Sequence, residues 1–247
     1  MARFDVLPVG RPHEEPKASR CATCAVRDSA LCESLSDHEL AALSAIGRRR
    51  VVPAGQVISW VGDASIFCAN VVSGALKVTA TLSDGREQIV GLLFPADFVG
   101  QLFTDETTLT VTAIVDTDLC GYSRGAFEAV LGDHPKMERL LLRRTMASLN
   151  EARERMLSLG RQSAQERVAG FILDLARRAG VRSADGLLHV SIPVSRGEMA
   201  DYLGLTIETV SRQLTRLRTN DVIGFANGER ICTIINRAQL ERIVNPD

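Results

Sequence analysis

PVSRGEMADYLGLTIETVSRQLTRLRTNDVI, residues 193–223, decides how the rest of the chain is read. Ser195 with Glu198 three residues later forms a capping box, in which each side chain satisfies the other's orphan backbone N–H, and it opens a short helix. Gly204 supplies the turn, and Thr206 caps a second helix running to about Asn220. Helix, glycine turn, helix is the arrangement that lays a recognition helix in the major groove of double-stranded DNA.

The second helix divides by face. Ile207, Val210, Leu214 and Leu217 recur at spacings of 3, 4 and 3 and are expected to pack inward, whereas Glu208, Ser211 and Arg212 share an exposed stripe near the N-terminus. Such a stripe meets base edges: arginine bonds guanine O6 and N7 together, glutamate accepts from cytosine N4, and serine approaches a thymine. Arg216 and Arg218, further along, suit phosphates. Asn227-Gly228, between GFA and RICTII, is a two-residue hairpin signal, so the module should end in a wing. The bland alternative is an i,i+4 surface ion pair between Glu208 and Arg212 on an ordinary bundle; the capping box, turn glycine and wing weigh against it.

Upstream, AQERVAGFILDLARRAG carries Val168, Phe171, Ile172 and Leu175 at helical spacing, with Gly180 as the stop. Before it, KMERLLLRRTMASLNEARERMLSLG has no breaker until Gly160, with Asp133 and Pro135 where a cap and a first-turn proline belong. Leu142, Leu149 and Met156 recur every seven residues, and Thr145, Ala152 and Leu159 fill the intermediate positions. A seam this narrow suits a contact between the helices of a homodimer; the alternative is a helix lying on its own β-module.

From Val51 to about Tyr122 the chain changes to short β-branched runs, VVPAGQVISW, ANVVSGALKVTATL, REQIVGLLF and LTVTAIVDTDLCGY. Turns at Pro53-Ala54-Gly55, Gly62-Asp63, Ser73-Gly74 and Ser83-Asp84-Gly85 separate them, which indicates a compact antiparallel sandwich or roll. Residues 1–34 carry Pro8, Pro12 and Pro16 and read as an extended arm and loop. Within them, SRCATCAVRDSALCESL (residues 19–35) puts three cysteines within twelve residues and has little around them that resembles ordinary core.

Composition narrows the classes. Over 247 residues, 29 basic residues against 30 acidic give a net charge of −1, so any nucleic-acid surface must be local. No apolar run has the length of a signal peptide or spanning helix, so the expectation is a soluble cytoplasmic protein with no membrane partner. In a reducing compartment six cysteines are not expected to form a disulfide framework, so the clustered ones read as metal ligands or redox groups. Cys68 in IFCANVV and Cys232 in RICTII fall in strand patterns, where cysteine behaves as a small buried hydrophobe.

A β-roll, a long helix and a winged helix-turn-helix, in that order from about residue 20 to 245, resemble the CRP/FNR superfamily of transcription regulators. The resemblance implies an α+β protein that is not an enzyme: a cluster-binding arm and loop over 1–34, a cyclic-nucleotide-binding-like β-roll over 35–133, a dimerisation helix over 134–160 and a winged helix-turn-helix over 161–247. The cyclic-nucleotide branch holds its phosphate with an Arg-Ser pair; here Leu109-Thr110 stands at that place, which argues against a cyclic nucleotide. The chain is similar instead to the FNR branch, through Cys21-x2-Cys24-x7-Cys32, a distant Cys120, and Glu208-Thr209-Val210-Ser211-Arg212 in the pattern E-x-x-S-R.

That likeness implies a 4Fe-4S cluster on Cys21, Cys24, Cys32 and Cys120, converted by oxygen to 2Fe-2S and then lost. It further implies a dimer that binds an inverted repeat resembling TTGAT-ATCAA and works with RNA polymerase as activator or repressor of anaerobic and microaerobic genes. Four thiolates match the four irons of a cubane, and CxxC spacing reaches neighbouring irons. The rivals are a structural zinc, whose ribbons use two paired CxxC knuckles, a thiol–disulfide switch, and a regulator with the same DNA specificity reading nitric oxide or a haem ligand or working without a cluster, as in FixK-like proteins.

Overall fold

The computed structural model describes residues 21–184, 186–226 and 230–245. Pro8, Pro12, Pro16 and the Asn227-Gly228 turn lie outside the described residues. Two compact units emerge: one takes the residues up to Val78 with Leu92–Arg144, the other Thr79–Gly91 with the residues from Thr145 onward. Among the described residues no helix is long and apolar enough to cross a membrane.

In the first unit a 3-10 turn over Leu31–Ser34 leads into α1 (Asp37–Ile46), opened by a Ser36–Glu39 capping box. One four-stranded antiparallel sheet runs β1 (Arg48–Val52), β8 (Thr117–Ser123), β3 (Phe67–Ser73), β6 (Phe98–Val99) in spatial order. A second sheet of the chain has the strand order β2 (Val57–Ser59), β7 (Thr110–Ala113), β4 (Leu76–Thr81), β5 (Glu87–Leu93). Gly55, Gly62, Gly74 and Gly85, one in each anticipated turn, all adopt positive φ, where a side chain is strained.

Side chains alternate across β3 and β8, and the alternation builds two different interiors. Ala69, Val71 and Leu119 join Val52, Leu76, Val99, Val111 and Ala113 in an apolar core. Cys68 and Tyr122, on the opposite face, pack with Leu31, Leu40, Leu43, Phe127, Leu131, Met137 and Leu140, which come from the 3-10 turn, α1, α2 (Arg124–Asp133) and the start of α3 (Pro135–Arg161).

In the second unit α4 (Ala164–Ala179) opens on a Ser163–Glu166 capping box and stops at Gly180. A four-stranded antiparallel sheet follows the order β11 (Ile223–Ala226), β12 (Ile231–Ile234), β10 (Leu188–Ser191), β9 (Val181–Arg182). Between β10 and β11 stand α5 (Arg196–Leu203) and α6 (Ile207–Thr219), and α7 (Arg237–Val244) closes the described chain.

Three expectations are corrected. Gly160 does not stop the long helix, which runs through it to Arg161 before Ser163 caps the next. Asp133 is not the cap of α3 but the last residue of α2. The described part of the N-terminal loop is turned rather than extended: Cys21-Ala22 are helical, and Ala30 and Leu31 are fully buried. Those two residues anchor the loop through the same burial that drives any core.

Candidate thiol site and nucleic-acid interface

β8 lies between β1 and β3, and its register sets Cys120 opposite Arg49 on one side and Asn70 on the other. The three residues therefore share one row. The loop brings Cys21, Cys24 and Cys32 to that row, and all four cysteines line a cavity of about 30 Å³ together with Arg49, Asn70, Gly47, Leu43 and Tyr122. Cys68 does not line it: fully buried, it packs beneath the helices.

Polar contacts surround the sulfurs. The Tyr122 hydroxyl lies 3.2 Å from Cys120 Sγ, Asn70 Nδ2 donates to Cys32 Sγ at 3.8 Å, and Arg49 Nη1 donates to Cys24 Sγ at 3.9 Å. Arg49 is aimed by Asp118, which accepts from its Nε at 3.0 Å. Asn70 Oδ1 is buried with no hydrogen-bond partner. Among the described residues no three Cys, His, Asp or Glu side chains are grouped to hold a metal ion.

Burial pushes the Cys32 thiol up to about 12, and the nearby Cys120, Cys21 and Cys24 add to it. Burial also raises Cys120, while the Tyr122 hydroxyl acts in the opposite direction. Tyr122 is itself raised, chiefly by burial and then by Cys120 and Cys32, so it remains a phenol that can donate to a thiolate. The buried Cys32 and Cys120 thiols thus resist ionising, and a cationic centre that replaced their protons would reverse the balance.

Cys68 and Cys232 are each pushed up to about 12 by burial and stand apart from this group. At the place of a phosphate-binding Arg-Ser pair, Thr110 is buried and its hydroxyl accepts from Val61 N–H at 3.2 Å.

The second site is built locally. Ser195 and Glu198 cap α5 reciprocally, Gly204 ends it in the left-handed region (φ 61°, ψ 44°), and Thr206 Oγ1 accepts from Thr209 N–H to start α6. Val210, Leu214 and Leu217 are buried; Ile207 is not, and at 51% exposure it corrects the inward assignment. It sits in the first turn, where the helix overhangs α5, with its Cδ1 over Gly197.

Glu208 and Arg212 are exposed and Ser211 is half-buried. No ion pair joins Glu208 to Arg212; the Arg212 guanidinium reaches Thr209 Oγ1 at 3.5 Å. Glu208 is held below the usual carboxylate range by its own backbone N–H and then by the Thr206 hydroxyl. Arg216 and Arg218 are exposed in the last turn. In the hairpin beyond, Ala226 pairs with Ile231.

Residues without a sequence signal hold this head. Arg167 donates to Leu159 O at 2.7 Å, Gln162 O at 3.0 Å, Leu203 O at 3.1 Å and Gly204 O at 3.4 Å. The Arg155 guanidinium lies 3.8 Å from the centre of the Tyr202 ring. Along α3, Leu142 (61%), Leu149 and Met156 are exposed, and Met146 and Leu157, which the heptad reading passed over, are exposed too. Leu159 is exposed as well, and its Cδ2 would lie 3.0 Å from a Cβ at Gly204.

Residues 166–243 match the family described as Crp-like helix-turn-helix domain, and residues 49–134 match the family described as cyclic nucleotide-binding domain. The chain is 40% identical over 232 residues to the transcriptional activator protein FnrL of Cereibacter sphaeroides, which covers 92% of this chain and 93% of that protein. It is 35% identical over 215 residues to the nitrogen fixation regulation protein FixK of Bradyrhizobium diazoefficiens, covering 87% and 90%. The solved structure of FixK2 from Bradyrhizobium japonicum superposes with a TM-score of 0.75 at 33% identity, over 82% of this chain and 99% of that one.

Proposed function

The chain belongs to the CRP/FNR family of DNA-binding transcription regulators, and on that premise we propose that it responds to oxygen through a 4Fe-4S cluster held by Cys21, Cys24, Cys32 and Cys120. It is a regulator of the FNR/FixK type and not an enzyme. The observation that carries the proposal is that these four thiols, from two segments 88 or more residues apart in sequence, line one cavity while Cys68 and Cys232 do not.

The chemical type of the donors suits the group. Thiolates suit iron–sulfur clusters, and four anionic sulfurs leave a bound cubane with net negative charge, for which the Arg49 cation and the Tyr122 and Asn70 donors are well placed. When bound, the cluster supplies a centre whose integrity depends on oxygen. Three of its ligands sit on the loop and one on β8, so holding all four fixes the loop against the sheet. A ligand equilibrium thereby becomes a conformational one.

The reading continues to DNA through a homodimer formed on α3, with Glu208, Ser211 and Arg212 toward base edges and Arg216 and Arg218 toward phosphates of a TTGAT-ATCAA-like inverted repeat, together with RNA polymerase. A cyclic nucleotide has no place in it, because Leu109-Thr110 stands where a phosphate-binding Arg-Ser pair would, and Thr110 is buried with its hydroxyl accepting from Val61 N–H. Anaerobic purification with iron and sulfide analysis and a visible spectrum tests the cluster. About four iron and four sulfide per chain are expected, lost in Cys120→Ser and kept in Cys68→Ser. Iron-free protein, or the reverse pattern of the two variants, overturns the assignment and leaves a cluster-free regulator with the same DNA domain.

A further inference from the structure

Arg144 of α3 reaches both the thiol loop and the β-roll with a single guanidinium. Its Nη1 donates to Ala96 O at 2.9 Å, its Nη2 donates to Ser29 O, and Glu33 Oε1 lies 3.8 Å away. Ser29 and Glu33 belong to the loop: Ser29 stands between Cys24 and Cys32, and Glu33 directly follows Cys32. Ala96 is a different kind of partner. It sits at φ 78° in the turn after Pro95, its N–H bound to Val71 O at 2.9 Å, and Asp97 closes the turn on Phe94 at 2.9 Å.

A non-glycine residue at positive φ persists only where its surroundings fix it, so Ala96 O is a stationary anchor. The loop carbonyl is the movable one. On the helix, Arg144 follows the buried Leu140 by one turn, and the exposed seam residue Leu142 stands two positions before it, on a different face of the same turn of α3.

We propose that Arg144 is the positioning residue that couples the thiol loop to the dimer seam. The proposal rests on the cluster-and-dimer reading above. With the loop held by its four cysteines, the planar guanidinium spans both carbonyls and fixes this stretch of α3. With the loop released, Ser29 O and Glu33 leave, and a half-buried cation keeps only Ala96 O. The side chain must then seek water, and the turn of α3 that carries Leu142 loses the bond that held it to the loop.

The test uses the full chain, with dimer dissociation constants measured by ultracentrifugation on anaerobic and on air-exposed protein, beside iron content. In the wild type, air should weaken the dimer by about tenfold or more, within the usual range of coupling between sites. Arg144→Ala should keep its anaerobic iron while that ratio falls to about twofold, and Arg144→Lys, which can hold one carbonyl but not two, should lie between. The exposed neighbour Arg143→Ala should keep the wild-type ratio. Should Arg144→Ala not fold, Arg144→Lys decides, and a full wild-type ratio there overturns the proposal. A wild type without iron, or with one dimer constant in both states, instead overturns the cluster-and-dimer reading; a normal wild type with an undiminished ratio in Arg144→Ala overturns the coupling alone.

Discussion

Cys120 and Arg212 are both held in place by neighbours, but by neighbours of different origin. Cys120 stands between Arg49 and Asn70, 71 and 50 residues away in sequence, under a loop that starts 99 residues upstream. Arg212 is set by its own helix: Thr209 is three residues back, the Thr206 cap six, and the Gly204 turn eight. One site is assembled from the whole first unit, the other from a single stretch of chain. A nonlocal site has the loop-closure cost of every segment that meets there, and loosening one segment opens it. A local site keeps its shape as long as its helix persists. That difference suits a sensor to the first site and an invariant reader to the second.

The largest expected effect falls on the proposed dimer seam of α3. Burying an uncompensated carboxylate costs about 3 to 5 kcal/mol, so Leu149→Glu should turn a marginal dimer into a monomer under anaerobic ultracentrifugation. Iron content should be unchanged, because residue 149 is far along α3 from the cavity-lining residues in sequence and lines no part of the cavity. An unchanged dimer would move the interface elsewhere, and a monomer that has also lost its iron would mean that the thiol site depends on the seam for its assembly.

A smaller effect separates the two ends of α6. A bidentate base contact contributes about 1 to 3 kcal/mol of discrimination, whereas a phosphate contact changes affinity with little change in preference. Arg212→Ala should lose its preference at one base pair of each half-site in a selection on randomised DNA. Arg216→Ala should weaken binding to all sequences and lower the salt dependence by about one ion. If Arg212→Ala still specifies the same guanine, the exposed stripe is not the reader.

What could be read in advance follows the same division. Ser195-x-x-Glu198 and Gly204 declared α5 and its turn because caps and left-handed glycines are signals carried by a few adjacent residues. The same S-x-x-E signature at Ser36 and Glu39 opens α1. Cysteine spacing and family likeness singled out four thiols, yet Arg49, Asn70 and Tyr122 carry no mark in the sequence. They become neighbours only once the register of β1, β3 and β8 is known. Arg144 and Arg167 are hidden for another reason: each bonds backbone carbonyls, and a carbonyl leaves no trace of residue type. Ala30 and Leu31 show the reverse error, since a loop otherwise poor in apolar residues was denied the two that bury it.

The smallest expected effect bears on the one position of the reading helix where periodicity misled. Ile207 and Val210 lie on successive entries of one apolar stripe, yet the first is half exposed and the second fully buried. Spacing alone does not say where a stripe runs off the edge of its partner. Ile207→Ser should therefore change stability by less than about 0.5 kcal/mol, as surface substitutions do, since the side chain loses little beyond its contact over Gly197. Val210→Ala removes buried methyl groups and should cost about 1 kcal/mol or somewhat more. Urea unfolding of the metal-free chain under one set of conditions compares the two. Equal losses would mean that Ile207 is covered in solution, and the local rigidity assigned to the reading head would then depend on a surface this fold leaves open.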